Sequence, residues 1–345
     1  MVLSIQFHGL RGSRTGKNSM PVTQAVLGCG RWGSFHLWYG SRIGNTVTGW
    51  EPDGIPGFKE LSETRKNRYL ELPPDVQLTT DLEEVSGSDL ITVTVPAQKF
   101  RNLCCRLREI DISDADLILC MKGIEKDSGK RLTEIAREEG LKPRSLSIWV
   151  GPGHPQQFVA EVPSCMIIAS EDENDSVRIA KLLSSELIRF YWSRDIIGCE
   201  VGAAAKNVIG IAAGILDGLN HSGLKGALMA RAPQEVARLV AAMGGDWRSV
   251  YGLSHLGDYE ATLFSPYSHN RLYGEAIGKG TGIRSLQLAE GVDTASAVMV
   301  LADKYNVEMP ITGTVRKIIN NDIPVRKAIG ELFARPEKEE FPDHF

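Results

Sequence analysis

One hexapeptide limits the possible folds of this chain more than any other feature. Gly28-Cys29-Gly30-Arg31-Trp32-Gly33 has the spacing G-x-G-x-x-G. The apolar run Ala25–Leu27 precedes it, a helical pattern over Ser34–Tyr39 follows, and a second run, Thr46–Trp50, ends at the acid Glu51. A dinucleotide site needs that strand–turn–helix–strand succession. The first glycine permits the tight turn, the second leaves room for a diphosphate against the backbone, and the third lets helix lie on strand. The helix start then offers free N–H groups and a positive dipole end to the phosphates. Glu51 stands 23 residues beyond Gly28 and is followed by Pro52 and Asp53, not by arginine. A carboxylate there accepts hydrogen bonds from an adenosine ribose and repels a 2′-phosphate, which favours NAD over NADP while leaving NADP possible. The competing readings are a chance glycine turn and a solvent-facing acid.

The pattern around the hexapeptide agrees with it. Leu90–Val95, Leu117–Cys120, Ser145–Val150 and Met166–Ala169 are further strand candidates. They are short apolar runs bounded by turn residues, as parallel strands buried on both faces are. Alternating with helical segments, they predict a Rossmann-like, doubly wound α/β domain over residues 21–194. From Ile197 the period is helical almost throughout, broken at Gly244–Gly245, Gly252–Gly257 and Gly278–Gly282. An all-α C-terminal domain over 195–334 is therefore expected, with a disordered extension over 1–20 and a loose charged tail over 335–345.

Composition narrows the function. A net charge of −4 and a pI near 6.0 argue against a nucleic-acid partner held by bulk charge. The longest apolar runs, Val208–Leu216 and Ala295–Ala302, reach roughly half the ~18 residues of a spanning helix, so no integral membrane segment is expected. The six cysteines form no CxxC pair, and Cys104 and Cys105 are adjacent. That usage suits a reducing, cytoplasmic compartment. The seven histidines show no metal-ligand spacing, and no metal is expected.

The candidate chemistry lies where a sheet meets its helices. Lys122 follows the run Leu117–Met121 directly, at the carboxyl end of a strand, where open α/β sheets keep their ligand crevice. Gly151-Pro152-Gly153 follows another strand in the same way and is expected to turn backbone N–H groups towards the crevice. Lys206-Asn207 interrupts the otherwise apolar or small helix Glu200–Leu219, and Lys206 shares its face with Gly202, Gly210 and Gly214. Glycines on one face allow something to approach closely. Burial and a second ammonium nearby would lower the pKa of such a lysine and suit it to proton transfer. The alternative is a structural ion pair with Glu200 or Asp217. Asp258, in the glycine-bounded segment Ser254–Asp258, is an acid that could hold or orient the lysine, or merely cap a helix; His255 reads as structural. Ser265–Arg271 gathers short polar donors and a cation, the composition of a phosphate site or of a surface turn.

Taken in order, these elements resemble the NAD(P)-dependent glycerol-3-phosphate dehydrogenase family. Gly28–Gly33 with Trp32 is similar to its GxGxWG, Val95-Pro96 to its VP, and Met121-Lys122-Gly123 to its TKG or CKG. Val201–Leu219 resembles its most distinctive helix; Gly257-Asp258, Ser265–Gly274 and Ala289-Glu290-Gly291 resemble its later signatures. The resemblance runs from the glycine loop to about Asp293. It implies reversible hydride transfer between NAD(H) and dihydroxyacetone phosphate, giving sn-glycerol 3-phosphate and feeding glycerophospholipid synthesis; the apolar helical domain suits a homodimer. It implies that Gly28, Gly30, Arg31, Trp32, Gly33, Glu51, Lys122, His269 and Glu290 meet the cofactor. Lys206 would exchange the proton at the substrate C2 oxygen, with Lys122 and Asp258 beside it. Gly151, Gly153, Asn207, Thr262, Ser268, His269 and Asn270 would join Lys122 and Asp258 around the phosphorylated substrate.

Two departures bear on the substrate. The family's RNR stands here as His269-Asn270-Arg271, exchanging a permanently charged fork for an imidazole that is mostly neutral at pH 7. Phosphate affinity is then expected to fall, to depend on pH, or to pass to Arg271. The family's GPS-F-A stands as Gly151-Pro152-Gly153-His154-Pro155, without the serine hydroxyl. A related dehydrogenase acting on another small 2-hydroxy compound, and a non-catalytic nucleotide sensor, are the alternatives. The joint presence of Lys122, Lys206 and Asp258 speaks against the sensor.

Overall fold

The computed structural model describes residues 21–281 and 289–340. The expectations for residues 1–20, for Gly282 and for the end of the tail lie outside the described residues. The nucleotide half runs β1 (Thr23–Leu27), α1 (Arg31–Arg42), β2 (Thr46–Trp50), α2 (Pro56–Thr64), β3 (Gln77–Thr79), β4 (Leu90–Val93) and α3 (Phe100–Leu107). It continues through β5 (Asp116–Leu119), α4 (Leu132–Glu138), β6 (Ser145–Val150), α5 (Pro155–Val159), β7 (Ser164–Ser170), α6 (Glu173–Leu183) and β8 (Ile188–Ser193). Helices follow: α7 (Ile196–Gly218), α8 (Lys225–Ala242), α9 (His269–Lys279), α10 (Glu290–Tyr305), α11 (Pro310–Ile319) and α12 (Val325–Phe333).

The strands form one sheet in the order β3-β2-β1-β4-β5-β6-β7-β8. Two of them escaped the sequence pattern. β3 has only three residues, and β8 alternates buried Ile188 and Phe190 with exposed Arg189 and Tyr191, as an edge strand does. The sheet also departs from an all-parallel one, because β7 returns antiparallel to β6. Side chains alternate across the pleat: Ala25, Leu27, Ile91, Val93, Leu117 and Leu119 face α3, α4 and the first turns of α7. Val26, Leu90 and Ile118 face α1, α2 and α6. Each such buried aliphatic side chain contributes roughly 1.5–3 kcal/mol relative to exposure, so core packing fixes the strand ends.

Those ends matter for the site. Leu27 pairs with Trp50 and with Val93, and Val93 pairs with Leu119. Gly28, Glu51, Thr94 and Cys120 therefore leave the sheet along one rim, at the point between β1 and β4 where strand order reverses. A crevice opens there in doubly wound folds.

α7 joins the halves. Its residues Ile196, Cys199 and Ala203 pack into the core of the sheet, while Val201, Ala204, Ala205 and Val208 belong to the helical cores. The glycines on its face admit three segments of this same chain: Ser254 and His255 at Gly202, Thr262 and Asn270 at Gly210, and the backbone of α9 at Gly214. A Cβ at Gly214 would lie 1.9 Å from the Arg271 carbonyl oxygen, and one at Gly274 would lie 2.0 Å from that of Ile211. Backbone meets backbone, which brings the first turn of α9 against Asn207. α7 is also long and apolar enough to cross a membrane, with a window of mean hydropathy 1.4, but 94% of that window is buried inside the molecule. The sequence reading began this apolar run at Val208, after Lys206-Asn207; the small residues before that pair keep the average high.

Candidate active site

A cleft of about 1120 Å³ lies between the two halves along the rim of the sheet. Its nucleotide wall is mostly backbone. Gly28 has φ +95°, and a Cβ there would come within 2.9 Å of the Val95 nitrogen. A Cβ at Gly33 would overlap the Gly28 carbonyl oxygen at 1.7 Å, so only glycine lets α1 sit on β1. At Gly30 a Cβ would meet nothing within 4 Å, which leaves the turn open towards the cleft. No side chain caps α1, and the N–H groups of a first helical turn lack intrahelical acceptors. The hexapeptide thus fits a dinucleotide diphosphate: room, donors and a positive helix end coincide.

Glu51 lines the same wall, and its Oε2 accepts from the Cys29 N–H at 2.6 Å. Burial raises its pKa, against the pull of that N–H. The acid is therefore fixed to the glycine loop. Thr94 Oγ1 donates to the Gly28 carbonyl at 2.6 Å and pins the loop from β4.

The opposite wall is made of side chains. Lys206 and Lys122 converge on one oxygen, Asp258 Oδ2, at 2.8 Å and 2.7 Å. Lys122 Nζ also donates to the Gly151 carbonyl at 2.7 Å and lies 5.4 Å from the centre of the Trp32 ring. Lys206 Nζ donates to Thr262 Oγ1 at 2.8 Å, and that hydroxyl donates to the Asp258 carbonyl at 2.7 Å. Asp258 Oδ1 is buried without a hydrogen-bond partner among the described residues. Burial lowers the Lys206 pKa to about 8; the Asp258 carboxylate opposes that fall and the Lys122 ammonium adds to it. One carboxylate oxygen thus orients two ammonium groups, one of them poised near neutrality.

An amide relay ties these groups to the later helices. Asn207 Nδ2 donates to the Lys122 carbonyl at 2.9 Å, and Asn207 Oδ1 accepts from Asn270 Nδ2 at 3.1 Å. Asn270 Oδ1 accepts from the Gly291 N–H at 2.9 Å. The preceding residue, Glu290, lines the cleft; burial raises its pKa while Lys206 and then Lys122 pull it down. Ser268, the N-cap of α9, lines the cleft with His269 and Asn270. Burial, followed by Arg31 and Arg68, lowers the His269 pKa, so this imidazole is neutral at pH 7.

Lys206 pairs with neither Glu200 nor Asp217: Glu200 takes Arg131 at 2.7 Å and Thr133, and Asp217 takes Lys225 and Arg271. Arg271 does not inherit a phosphate role, because it turns from the cleft to Asp217 and Glu275, each at 3.0 Å, and to the Ser265 carbonyl. Gly151 gives its carbonyl to Lys122, and Gly153 lines the cleft at φ +146°, with the Phe158 ring where a Cβ would stand. His255 is structural, as read: buried, it contacts the Gly202 carbonyl and the Tyr259 hydroxyl.

The sequence reading missed Arg68, Tyr69 and His154, all of which line the cleft beside Tyr267 of the Ser265–Arg271 run. Only His154 carried a signal, its place in the altered loop. It bridges Arg31 Nη2 and the Ala261 carbonyl, each at 2.8 Å.

Comparison with known proteins gives this geometry a family. The N-terminal model of NAD-dependent glycerol-3-phosphate dehydrogenase matches residues 23–176 and the C-terminal model matches 195–330. A glycerol-3-phosphate dehydrogenase (NAD(P)+) of Prosthecochloris aestuarii is 36% identical over 91% of this chain and 98% of its own. That of Chlorobium limicola is 34% identical over 92% and 98%. The crystal structure of glycerol-3-phosphate dehydrogenase from Coxiella burnetii superposes with a TM-score of 0.85 at 28% identity, covering 91% of this chain and 99% of that one. D-mandelate dehydrogenase, at 15% identity and a TM-score of 0.59, shares the fold alone. With both halves matched in order over almost the whole described chain, this protein belongs to the NAD-dependent glycerol-3-phosphate dehydrogenase family.

Proposed function

We propose that this protein catalyses the reversible NAD(P)-linked interconversion of dihydroxyacetone phosphate and sn-glycerol 3-phosphate, with Lys206 as the group that exchanges the proton. The observation that carries this reading is the buried Lys206 ammonium, held with Lys122 on Asp258 Oδ2 inside the cleft that the glycine loop opens. Bound along that loop, the nicotinamide cofactor supplies or accepts the hydride. The rest of the work falls to the chain. As the ketone is reduced, negative charge builds on its oxygen, and two ammonium groups in a low-dielectric pocket stabilise it. Lys206 Nζ then gives up a proton. The Asp258 carboxylate holds both nitrogens in place, and Thr262 Oγ1 is the second partner of Lys206. In the reverse direction the neutral Lys206 amine accepts the alcohol proton.

The phosphate of the substrate lies at the first turn of α9, among Ser268, His269 and Asn270, and grips the molecule remotely so that the carbonyl is aligned. Gly28, Gly30, Arg31, Trp32, Gly33 and Glu51 hold the cofactor, with Glu290 facing it across the cleft. The Glu51 carboxylate selects NAD over NADP. Division into a nucleotide domain ending at residue 194 and a helical domain from 195 fits β8 ending at Ser193 and α7 starting at Ile196. A cytoplasmic homodimer completes the proposal. The test is NADH oxidation with dihydroxyacetone phosphate, run beside unphosphorylated dihydroxyacetone and beside NADPH. Fast turnover confined to the phosphate ester is expected; equal turnover of the unphosphorylated ketone would refute the phosphate assignment.

A further inference from the structure

At the seam between the halves, the hydrogen bonds of Arg31 determine the chemistry of its neighbour. Arg31, the first residue of α1, donates through Nη2 to His154 Nδ1 at 2.8 Å and to Gln156 Oε1 at 3.2 Å, and through Nη1 to the Tyr267 carbonyl at 3.3 Å. A guanidinium can only donate, so His154 Nδ1 must be the bare nitrogen. Its proton then sits on Nε2 and is donated to the Ala261 carbonyl, 2.8 Å away. Both ring nitrogens are used, and both uses require the neutral ring. Burial first, and Arg31 next, lower its pKa to about 4; Lys206 acts in the same direction, while the Ala261 bond and Asp258 oppose.

Ala261 lies in a π-helical turn, Glu260–Phe264, beside Thr262, which holds Lys206. Arg31 therefore docks the glycine loop onto the segment that orients the buried lysine. It also reaches Tyr267, the residue before the Ser268 cap of α9. That helix end has no cation of its own in the cleft, since Arg271 is committed to Asp217 and Glu275 and His269 is neutral at pH 7. Three of the five Arg31 donors are engaged. Its Nε–H is buried without a partner among the described residues.

We propose that His154 is a positioning residue that, as the neutral Nε2–H tautomer, fixes the Arg31 guanidinium across the seam so that Arg31 supplies the permanent positive charge to a phosphate group bound in the cleft beside α9. The proposal rests on the reading of this cleft as a site for phosphate-bearing ligands. Two sources share that chemistry, the cofactor diphosphate and the substrate phosphate.

The experiment compares Arg31→Gln, His154→Phe, His154→Gln and the double variant Arg31→Gln/His154→Phe in the full chain. It measures the Kd of NADH by protein fluorescence without substrate, then KM and kcat for dihydroxyacetone phosphate. Loss of a charged hydrogen-bonding partner predicts a rise of roughly ten-fold or more in Kd or KM for Arg31→Gln, with a smaller change in kcat. His154→Phe should reproduce most of that rise, and the double variant should be no worse than Arg31→Gln alone. His154→Gln keeps an acceptor and a donor and should restore most of the affinity. A rise in Kd assigns the cofactor diphosphate, and a rise in KM alone assigns the substrate. Multiplying effects in the double variant, or unchanged Kd and KM in Arg31→Gln, would overturn the proposal. Failure of the wild-type chain to reduce dihydroxyacetone phosphate would instead refute the dehydrogenase reading, with the NADH titration still deciding the part played by Arg31.

Discussion

The two walls of the cleft achieve their ends by opposite means. The nucleotide wall works by leaving side chains out: Gly28 and Gly33 let the loop and α1 pack against the sheet and Gly30 leaves the turn open, within six consecutive residues. The helical wall works by burying side chains that ordinarily stay in water. Lys206 and Asp258 meet there only because α7 and the segment ahead of the π-helical turn are packed together. A backbone site is local and tolerates exchange at its variable positions. A side-chain site depends on burial and on partners far along the chain, so its chemistry can be removed one group at a time.

That contrast can be broken most severely at Lys206. Lys206→Ala should lower turnover by roughly a hundred- to ten-thousand-fold, the range of general acid–base catalysis, while the NADH Kd barely moves. Loss of NADH binding in this variant would mean that the two walls are not separable. Asp258→Asn should cost about ten- to a hundred-fold in turnover, because two buried ammonium groups lose the negative charge of their shared acceptor. Asp258 raises the Lys206 pKa, so its removal should move the inflection of the reduction rate to lower pH; a pH titration of the variant checks the sign.

Gly214→Ala sharpens the comparison from the packing side. The new methyl would collide with the Arg271 carbonyl, and overpacking of this kind costs about 1–3 kcal/mol. A lower thermal midpoint is expected, with the NADH Kd preserved in the folded fraction. An unchanged midpoint would mean that α7 and α9 separate easily. The smallest effect belongs to the backbone wall: Glu51→Ala should narrow the preference for NAD over NADP by about ten-fold, read from the ratio of the two Kd values. An unchanged ratio would reduce Glu51 to a brace for the Cys29 N–H.

The two walls also differ in how far the sequence disclosed them. The glycine loop was legible because its strand, turn and helix are contiguous, and spacing alone carries their geometry. Lys206 was legible for another reason: a charge in an otherwise apolar helix must be explained by something. What approaches its glycine face was not legible, and proved to be Ser254 and His255, Thr262, and the first turn of α9 in succession. β8 was hidden because an edge strand exposes every second side chain, and β3 because three residues show no period. The Arg31–His154–Ala261 contacts span 123 and 107 residues, and no local pattern encodes such pairs. Arg271 misled for a related reason. Its charge was visible, but the acids that claim it, Asp217 and Glu275, come from α7 and from the next turn of its own helix.

The central claim, that proton exchange belongs to the buried Lys206, is tested most directly by the pH dependence of kcat in both directions. Reduction of dihydroxyacetone phosphate needs the ammonium form and should fall as pH rises through about 8. Oxidation of glycerol 3-phosphate needs the free amine and should rise through the same pH. Both limbs should vanish in Lys206→Ala. If the same limbs persist in that variant's residual activity, another group moves the proton and the account of the helical wall is wrong.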